Sequence, residues 1–168
     1  MRLIFFLTPL VLIMAACQGD PPMIGQPSAQ QTDMKEHLLN AHRTIAQSEE
    51  TAIDEYIARR RWPAQKMSDG ARRWVYSIGK GKEVRIEDSV TIRYNIEAIN
   101  GKTIYDYEEE TYMAGHRRDM IGLDGAVMGL TRGSKAKVIL PSNIAYGIGG
   151  DGDRIPQSAI LVIDLEIE

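Results

Sequence analysis

The tyrosine hydroxyl of Tyr146 stands at the mouth of a glycine-rich loop in the last third of the chain, within PSNIAYGIGGDGDRIPQSAILVIDLEIE over Pro141–Glu168. A polar group among apolar neighbours, on a loop hung between two strands, suits a small binding pocket better than a nucleophilic centre. No serine or cysteine is accompanied by a visible histidine and carboxylate set, so hydrolytic chemistry is disfavoured. His37 and His42 are five apart on a helical stretch and do not share a face, and His116 stands alone in a loop; no metal site is expected. The run Gly147-Ile148-Gly149-Gly150-Asp151-Gly152 fits the letters of a dinucleotide fingerprint. Pro156 and a strand follow it, however, and no strand–helix–strand unit surrounds it, so no nucleotide cofactor is expected. Asp151 and Asp153 lack the other ligands of a calcium loop. Among the remaining acids, Tyr107-Glu108-Glu109-Glu110 reads as a solvated loop, and Asp106 alone is set apart.

What is left is an apolar concavity with tyrosines around it: Tyr94, Tyr105 and Tyr146, with Ile155 on the loop and Ile163 on the last strand. Each tyrosine taken singly is also explained as a core residue with its hydroxyl at the rim. The elements that position them are legible from period. Val90, Ile92, Tyr94, Ile96 and Ala98 alternate with polar residues, which marks a half-buried strand. Asn100-Gly101 follows as a turn signal. Ala136, Val138 and Leu140 define a second alternating strand, and Ala159, Leu161, Ile163, Leu165 and Ile167 a third. Between them, Asp124–Leu130 is expected to form one short helix, bounded by Gly122 and Gly133. The expectation is an α+β domain over 68–168, an antiparallel sheet with a short helix on its apolar face.

Upstream, Asp33 with Glu36 three residues on resembles a capping box. Met34, Leu38, Ala41, Ile45, Ala52, Tyr56 and Ile57 then recur on one face of a long helix, which Trp62-Pro63 should end. A helix of about 29 residues spans on the order of 45 Å, so the segment 33–67 is either packed on its own domain or a pairing surface for a homodimer through 33–61. Residues 17–32 are rich in Pro, Gly, Ser and Gln and read as a flexible tether. Residues 1–16 read as a signal segment, with Arg2 ahead of an apolar run too short to span a membrane. Met14-Ala15-Ala16-Cys17 resembles a bacterial lipobox, which makes Cys17 the expected lipid attachment site and the cell envelope the expected location, bound to a membrane and facing the periplasm. Cys17 is the one cysteine, so no internal disulfide forms, and the net charge of −3 carries no nucleic-acid surface.

Residues 68–168 resemble an FKBP-type peptidyl-prolyl cis–trans isomerase domain. The matching residues are Ser89-Val90-Thr91-Ile92-Arg93-Tyr94, Asn100-Gly101 with Tyr105-Asp106, Gly122 through Leu130, Gly133-Ser134-Lys135-Ala136, Ala145-Tyr146-Gly147, Ile155-Pro156 and Ile163-Asp164-Leu165-Glu166. The lipobox, the long helix and the loop Tyr105–Glu110 are together similar to the gliding-motility-associated lipoprotein branch. The resemblance implies a five- to six-stranded antiparallel sheet wrapped on a short helix. It also implies a proline pocket lined by Tyr94, Tyr105, Met120, Leu123, Ile155 and Ile163, with Tyr146 and Asp106 as the polar, catalytic groups and proline-containing polypeptides as clients. The chain departs from the family pattern in four places. Leu123 stands where a tryptophan is usual, Ile163 where the last strand carries an aromatic, and Asp119 where an apolar residue precedes the helix; the segment after Asp106 is short. Isomerisation of X–Pro bonds is the expected activity. A non-catalytic chaperone or binding module, and a structural subunit of an envelope machine docked through 33–61, are the alternatives.

Overall fold

The computed structural model describes the backbone of residues 29–168 and side chains from residue 33. The expected signal segment, Cys17 and nearly all of the tether lie outside the described residues. The chain divides into two units, Met1–His37 and Leu38–Glu168, and the second holds the sheet.

The elements, in chain order, are helix α1 (Ala29–Arg60), β1 (Gln65–Lys66), β2 (Arg72–Ser77), β3 (Ser89–Ala98), β4 (Thr103–Met113), helix α2 (Ile121–Val127), β5 (Lys135–Leu140) and β6 (Leu161–Ile167). The strands form one six-stranded sheet in the order β1-β2-β5-β6-β3-β4, antiparallel at every pair. The sheet and short helix agree with the expected FKBP-like architecture. Between β3 and β4, Gly101 takes the left-handed φ of 86° that the turn requires. Its N–H donates to the Ala98 carbonyl at 2.8 Å, while the Asn100 side chain accepts from Lys102 N–H at 3.0 Å.

The sheet carries a core on each face, the second only where β5 and β6 meet. On one, Ile92, Ile96, Val138, Leu140, Leu161 and Ile163 pack with Leu123, Ala126 and Val127 of α2. On the other, Ile139, Ile160 and Val162 pack with Ile53 and Tyr56 of α1. Neighbours over Val138–Leu140 and Leu161–Ile163 thus enter different cores, which is why both strands are apolar without a break there, while Lys135, Lys137, Asp164 and Glu166 restore the alternation elsewhere. Arg72 fastens α1 to this face: its side chain is 6% exposed, donates to Asp54 at 2.9 Å and lies 3.3 Å from Glu50.

Four expectations are corrected. Helix α1 begins at Ala29, so Asp33 and Glu36 lie inside it rather than at its cap. Its apolar residues do not act as one stripe. Ile53 and Tyr56 are buried in the sheet packing, whereas Leu38 and Ile45 are exposed. The short helix is Ile121–Val127 rather than Asp124–Leu130. The Asp124 side chain instead turns back, accepting from the backbone N–H of Gly115 (3.0 Å) and Arg117 (3.3 Å). Gly129 at φ 76° follows the helix end. Lastly, Tyr105–Glu110 is not a loop; β4 runs unbroken through it. Cross-strand partners hold that stretch to β3, with Glu109 accepting from Arg93 at 2.7 Å and the hydroxyls of Thr91 and Thr111 at 2.8 Å. Its charged side chains suit the exposed edge of a sheet. A bulge opposite Asn95 places Tyr107 at φ 54°, with its N–H on the Asn95 side-chain oxygen at 2.9 Å.

Candidate active site

The loop that carries Tyr146 leaves β5 through Pro141 and a 3-10 turn, Ser142–Ile144, and continues through a second, Gly147–Gly149. Gly150 lies so close to the next pass of the loop that a Cβ there would stand 2.3 Å from the Ile155 carbonyl oxygen. Asp151 pins the loop from within. One of its oxygens accepts from the backbone N–H of Asp153 (2.9 Å) and Ile155 (2.8 Å), and the other accepts the Tyr105 hydroxyl at 2.5 Å. That hydrogen bond, with burial and the Asp151 charge adding to it, pushes the Tyr105 hydroxyl up to about 12. Tyr105 of β4 is therefore tied across to the loop that follows Tyr146.

Seven of the eight residues expected to form the pocket fall in a single cluster. Met120, Leu123 and Ile163 make a floor with 0% exposure and Ile155 is 4% exposed, while Tyr94, Tyr105 and Tyr146 are partly buried around them. Tyr112, another partly buried wall residue, joins them from β4. Asp106 does not join: it is exposed on β4 and makes no hydrogen bond or ion pair among the described residues. The carboxylate beside Tyr146 is Asp119, which accepts its hydroxyl at 3.5 Å.

Asp119 belongs to a polar corner whose centre is Arg117. The Arg117 side chain is only 4% exposed. Its Nε donates to Asp119 Oδ1 at 2.9 Å and Nη2 to Oδ2 at 3.3 Å, a two-point contact that fixes the carboxylate plane. Nη1 stands 2.9 Å from Glu110 Oε2 without hydrogen-bond alignment, so this contact is an ion pair only. The guanidinium carbon lies 5.2 Å from the centre of the Tyr112 ring. Glu110 in turn accepts the Tyr94 hydroxyl at 3.4 Å. One buried cation with two carboxylates leaves a net negative corner beside three tyrosines. Burial opposes the charge on Asp119, but Arg117 and the Met120 N–H outweigh it and hold the carboxyl below its usual range. Burial, and after it the Asp119 charge, pushes the Tyr146 hydroxyl up to about 12, so at neutral pH it is a donor. Tyr94 and Tyr112 are raised for the same first reason, burial.

An O–H···O contact of 3.5 Å is long for a hydrogen bond, which is strongest near 2.7–2.8 Å. Tyr146 thus keeps its hydroxyl oriented without committing it strongly. The site can present one neutral donor over an apolar, water-poor floor; it offers no activated nucleophile.

Arg117, Glu110 and Asp119 are the groups that sequence reading did not assign to the site. Glu110 and Tyr112, two apart, share a face once β4 is known to be a strand, and that period was the available signal. Nothing in the sequence alone brings Arg117 to both.

A family model described as FKBP-type peptidyl-prolyl cis-trans isomerase matches residues 80–168. The chain is 30% identical over 86 residues to peptidyl-prolyl cis-trans isomerase FKBP10 of Bos taurus, spanning 48% of this chain and 14% of that protein. It is 29% identical over 106 residues to the FKBP-type isomerase FkpA of Buchnera aphidicola, covering 61% of this chain and 41% of the relative. With the yeast isomerase FPR2 it shares 35% identity over 85 residues, covering 48% of this chain and 63% of the relative. Among solved structures, an isomerase from Pseudomonas syringae superposes with a TM-score of 0.62 at 23% identity, covering 74% of this chain and 92% of that one. FkpA from Escherichia coli superposes with a TM-score of 0.61 at 22% identity, covering 83% and 71%. At those identities the two structures speak for the fold.

Proposed function

Because the chain belongs to the FKBP-type peptidyl-prolyl cis–trans isomerase family, we propose that residues 68–168 catalyse rotation about X–Pro bonds of polypeptide clients. The observation that carries this reading is a weakly engaged neutral hydroxyl, Tyr146, 3.5 Å from a fixed carboxylate and packed over a floor that solvent does not reach.

Rotation about a peptide bond meets a barrier of roughly 18–20 kcal/mol because the twisted amide loses resonance. Water stabilises the planar amide by hydrogen bonding its polarised carbonyl, so a pocket that removes water raises the ground state relative to the twisted form. The apolar floor of Met120, Leu123, Ile155 and Ile163 does this for the prolyl ring. Tyr94, Tyr105 and Tyr146 close around it. The Tyr146 hydroxyl exchanges its long contact with Asp119 for the substrate carbonyl. Until the carbonyl arrives, Asp119, held by Arg117, keeps the hydroxyl aimed. No bond to the protein forms and no proton is transferred. A hundredfold acceleration requires about 2.7 kcal/mol, within reach of one such hydrogen bond together with desolvation. This reading gives the orienting role to Asp119 and leaves Asp106 outside the polar corner. Since the floor residues are at most 4% exposed, the prolyl ring reaches them only as a rim tyrosine swings aside.

The test is refolding of a client whose slow phase is limited by an X–Pro bond. Catalytic amounts of the protein are expected to speed that phase; a slow phase of unchanged rate, with the protein folded, would overturn the proposal.

We also assign Cys17 as a lipid anchor, which places the domain on an envelope membrane facing the periplasm, with envelope proteins as its clients and assisted folding as its role. The support is the run Met14–Cys17 followed by a polar tether. Labelling by a radioactive fatty acid that disappears in Cys17→Ala is the expected result. Membership of the gliding-associated branch keeps the lipobox and the long helix as support, the segment Tyr105–Glu110 being strand, and pairing of two copies through 33–61 rests on that helix. Sedimentation of the soluble fragment decides the second: a concentration-independent monomer would exclude pairing.

A further inference from the structure

The loop bearing Tyr146 is gripped from both sides of the sheet, and one grip comes from α1. Pro141 precedes the 3-10 turn Ser142–Ile144 and offers no side-chain oxygen to cap it. The cap comes from Glu49 of α1, distant by sequence. One of its carboxylate oxygens accepts the Ser142 backbone N–H at 2.9 Å and the other accepts the Ser142 hydroxyl at 2.6 Å. The Ser142 carbonyl then accepts the N–H of Ala145, the residue before Tyr146, at 3.1 Å. On the other side, Ile144 is 7% exposed and sits on Gly122 of α2 so closely that a Cβ there would lie 2.7 Å from its terminal carbon. One helix therefore holds the start of the turn and the other holds its end. Tyr146 is the second residue beyond that end, and among the described residues no hydrogen bond restrains its ring except the long one to Asp119.

We propose that Glu49 is a positioning residue for the isomerase reaction, acting through Ser142 and Ala145 to set where the Tyr146 hydroxyl stands. The inference rests on the role given to Tyr146 above. It makes the C-terminal half of α1 part of the working site rather than a spacer. The half that carries Glu49 is anchored independently of that contact. Ile53 and Tyr56 are each 1% exposed against Ile139, Ile160 and Val162, and Arg72 holds Glu50 and Asp54. Loss of the Glu49 carboxylate should thus loosen the turn without releasing the helix.

The experiment is a cycle of Glu49→Ala and Tyr146→Phe in the full chain, with Glu49→Gln as the conservative variant. It is read by kcat/KM and by hydrogen exchange of the Ala145 amide. Glutamine keeps one oxygen for the Ser142 N–H and offers an N–H to the Ser142 hydroxyl. Glu49→Ala is expected to lower kcat/KM about tenfold, mostly in kcat, and to speed Ala145 exchange by a similar factor. Glu49→Gln is expected to recover both to within about twofold. In the Tyr146→Phe background, Glu49→Ala should cost little more, since coupled residues are not additive. Equal losses in both backgrounds, or an unchanged Ala145 exchange rate in Glu49→Ala, overturn the proposal. If Tyr146→Phe alone matches the wild type, the role of Tyr146 falls first, and a loss in Glu49→Ala would then have another cause. A wild-type protein without catalysis removes both, whereas a normal loss in Tyr146→Phe beside full activity in Glu49→Ala removes the positioning role alone.

Discussion

Replacing Arg117 by methionine keeps an apolar stem in place of a side chain that is 4% exposed and removes the charge that reconciles Asp119 with Glu110. Breaking a fully buried ion pair by deleting one partner costs roughly 3–5 kcal/mol, because the remaining charge is stranded. Asp119 and Glu110 are not fully buried; their side chains are 48% and 37% exposed, so water screens part of the loss. The expected destabilisation is about 2 kcal/mol, or roughly 7 °C in Tm for a domain of this size. Its signature is specific. Burial remains while the guanidinium is gone, so the Asp119 carboxyl, now held below its usual range, should rise above it. Adding Asp119→Asn removes one stranded charge yet keeps an acceptor for the Met120 N–H, which lies 2.9 Å from Oδ1. Arg117→Met/Asp119→Asn should therefore recover about 1 kcal/mol relative to Arg117→Met. Urea unfolding followed by circular dichroism gives the stabilities, and carbon-detected NMR titration gives the carboxyl. An Arg117→Met protein as stable as the wild type, with Asp119 titrating where it did before, would refute the reasoning.

Other consequences follow from particular contacts. Asp119→Asn should lower kcat/KM about fivefold and Asp106→Ala should change it by less than about twofold in the same isomerase assay, the reverse order placing the orienting carboxylate at Asp106. Tyr146 has its folded pKa raised to about 12, so its protonated form is favoured. Its contribution to stability is intact below its ordinary value near 10 and lost as pH rises from there to 12. Activity that depends on its O–H should accordingly stay level to pH 10, and a fall centred below 10 would count against it. Asp119 has the opposite sign. Its contribution is present above the ordinary carboxylate value near 3.9 and is lost only as pH falls through its lowered folded value, so acid unfolding of the wild type should set in below about pH 4 at this site. Tyr56→Ala, which empties a position 1% exposed between α1 and the sheet, should cost about 3–5 kcal/mol in urea unfolding. A cost under 1 kcal/mol would mean that α1 is not part of the folded unit.

The strands are legible because they follow from period, whereas the floor of the site is legible only through the resemblance. Val90, Ile92 and Ile96 announce β3, and the same face continues into Tyr94. Met120, Leu123, Ile155 and Ile163 were placed by resemblance, and the structure gathers them into one floor. The polar corner was not legible. Arg117 and Asp119 lie before α2 and Glu110 on β4, and only the folded sheet edge brings them together. Glu108–Glu110 looked like a loop because a strand at a sheet edge need not alternate in polarity, so its acids carried no period. Helix α2 starts three residues before the expected position because Gly122, expected to bound it, lies within it, and Asp124 turns its carboxylate to the preceding loop. The stripe along α1 was correct as a helix and ambiguous as a surface, since a helical period does not say which turns find a partner.

The most direct test of the central claim is NMR exchange spectroscopy on a peptide containing Ala-Leu-Pro-Phe, with the soluble fragment from Thr32 to Glu168 and its Tyr146→Phe variant. Cross-peaks between cis and trans forms are expected to be absent without protein, to appear with the wild-type fragment at catalytic concentration and to be weaker with the variant. A folded wild-type fragment that leaves the exchange at its uncatalysed rate would contradict that claim, and the pocket over Leu123 would then be a binding site without turnover.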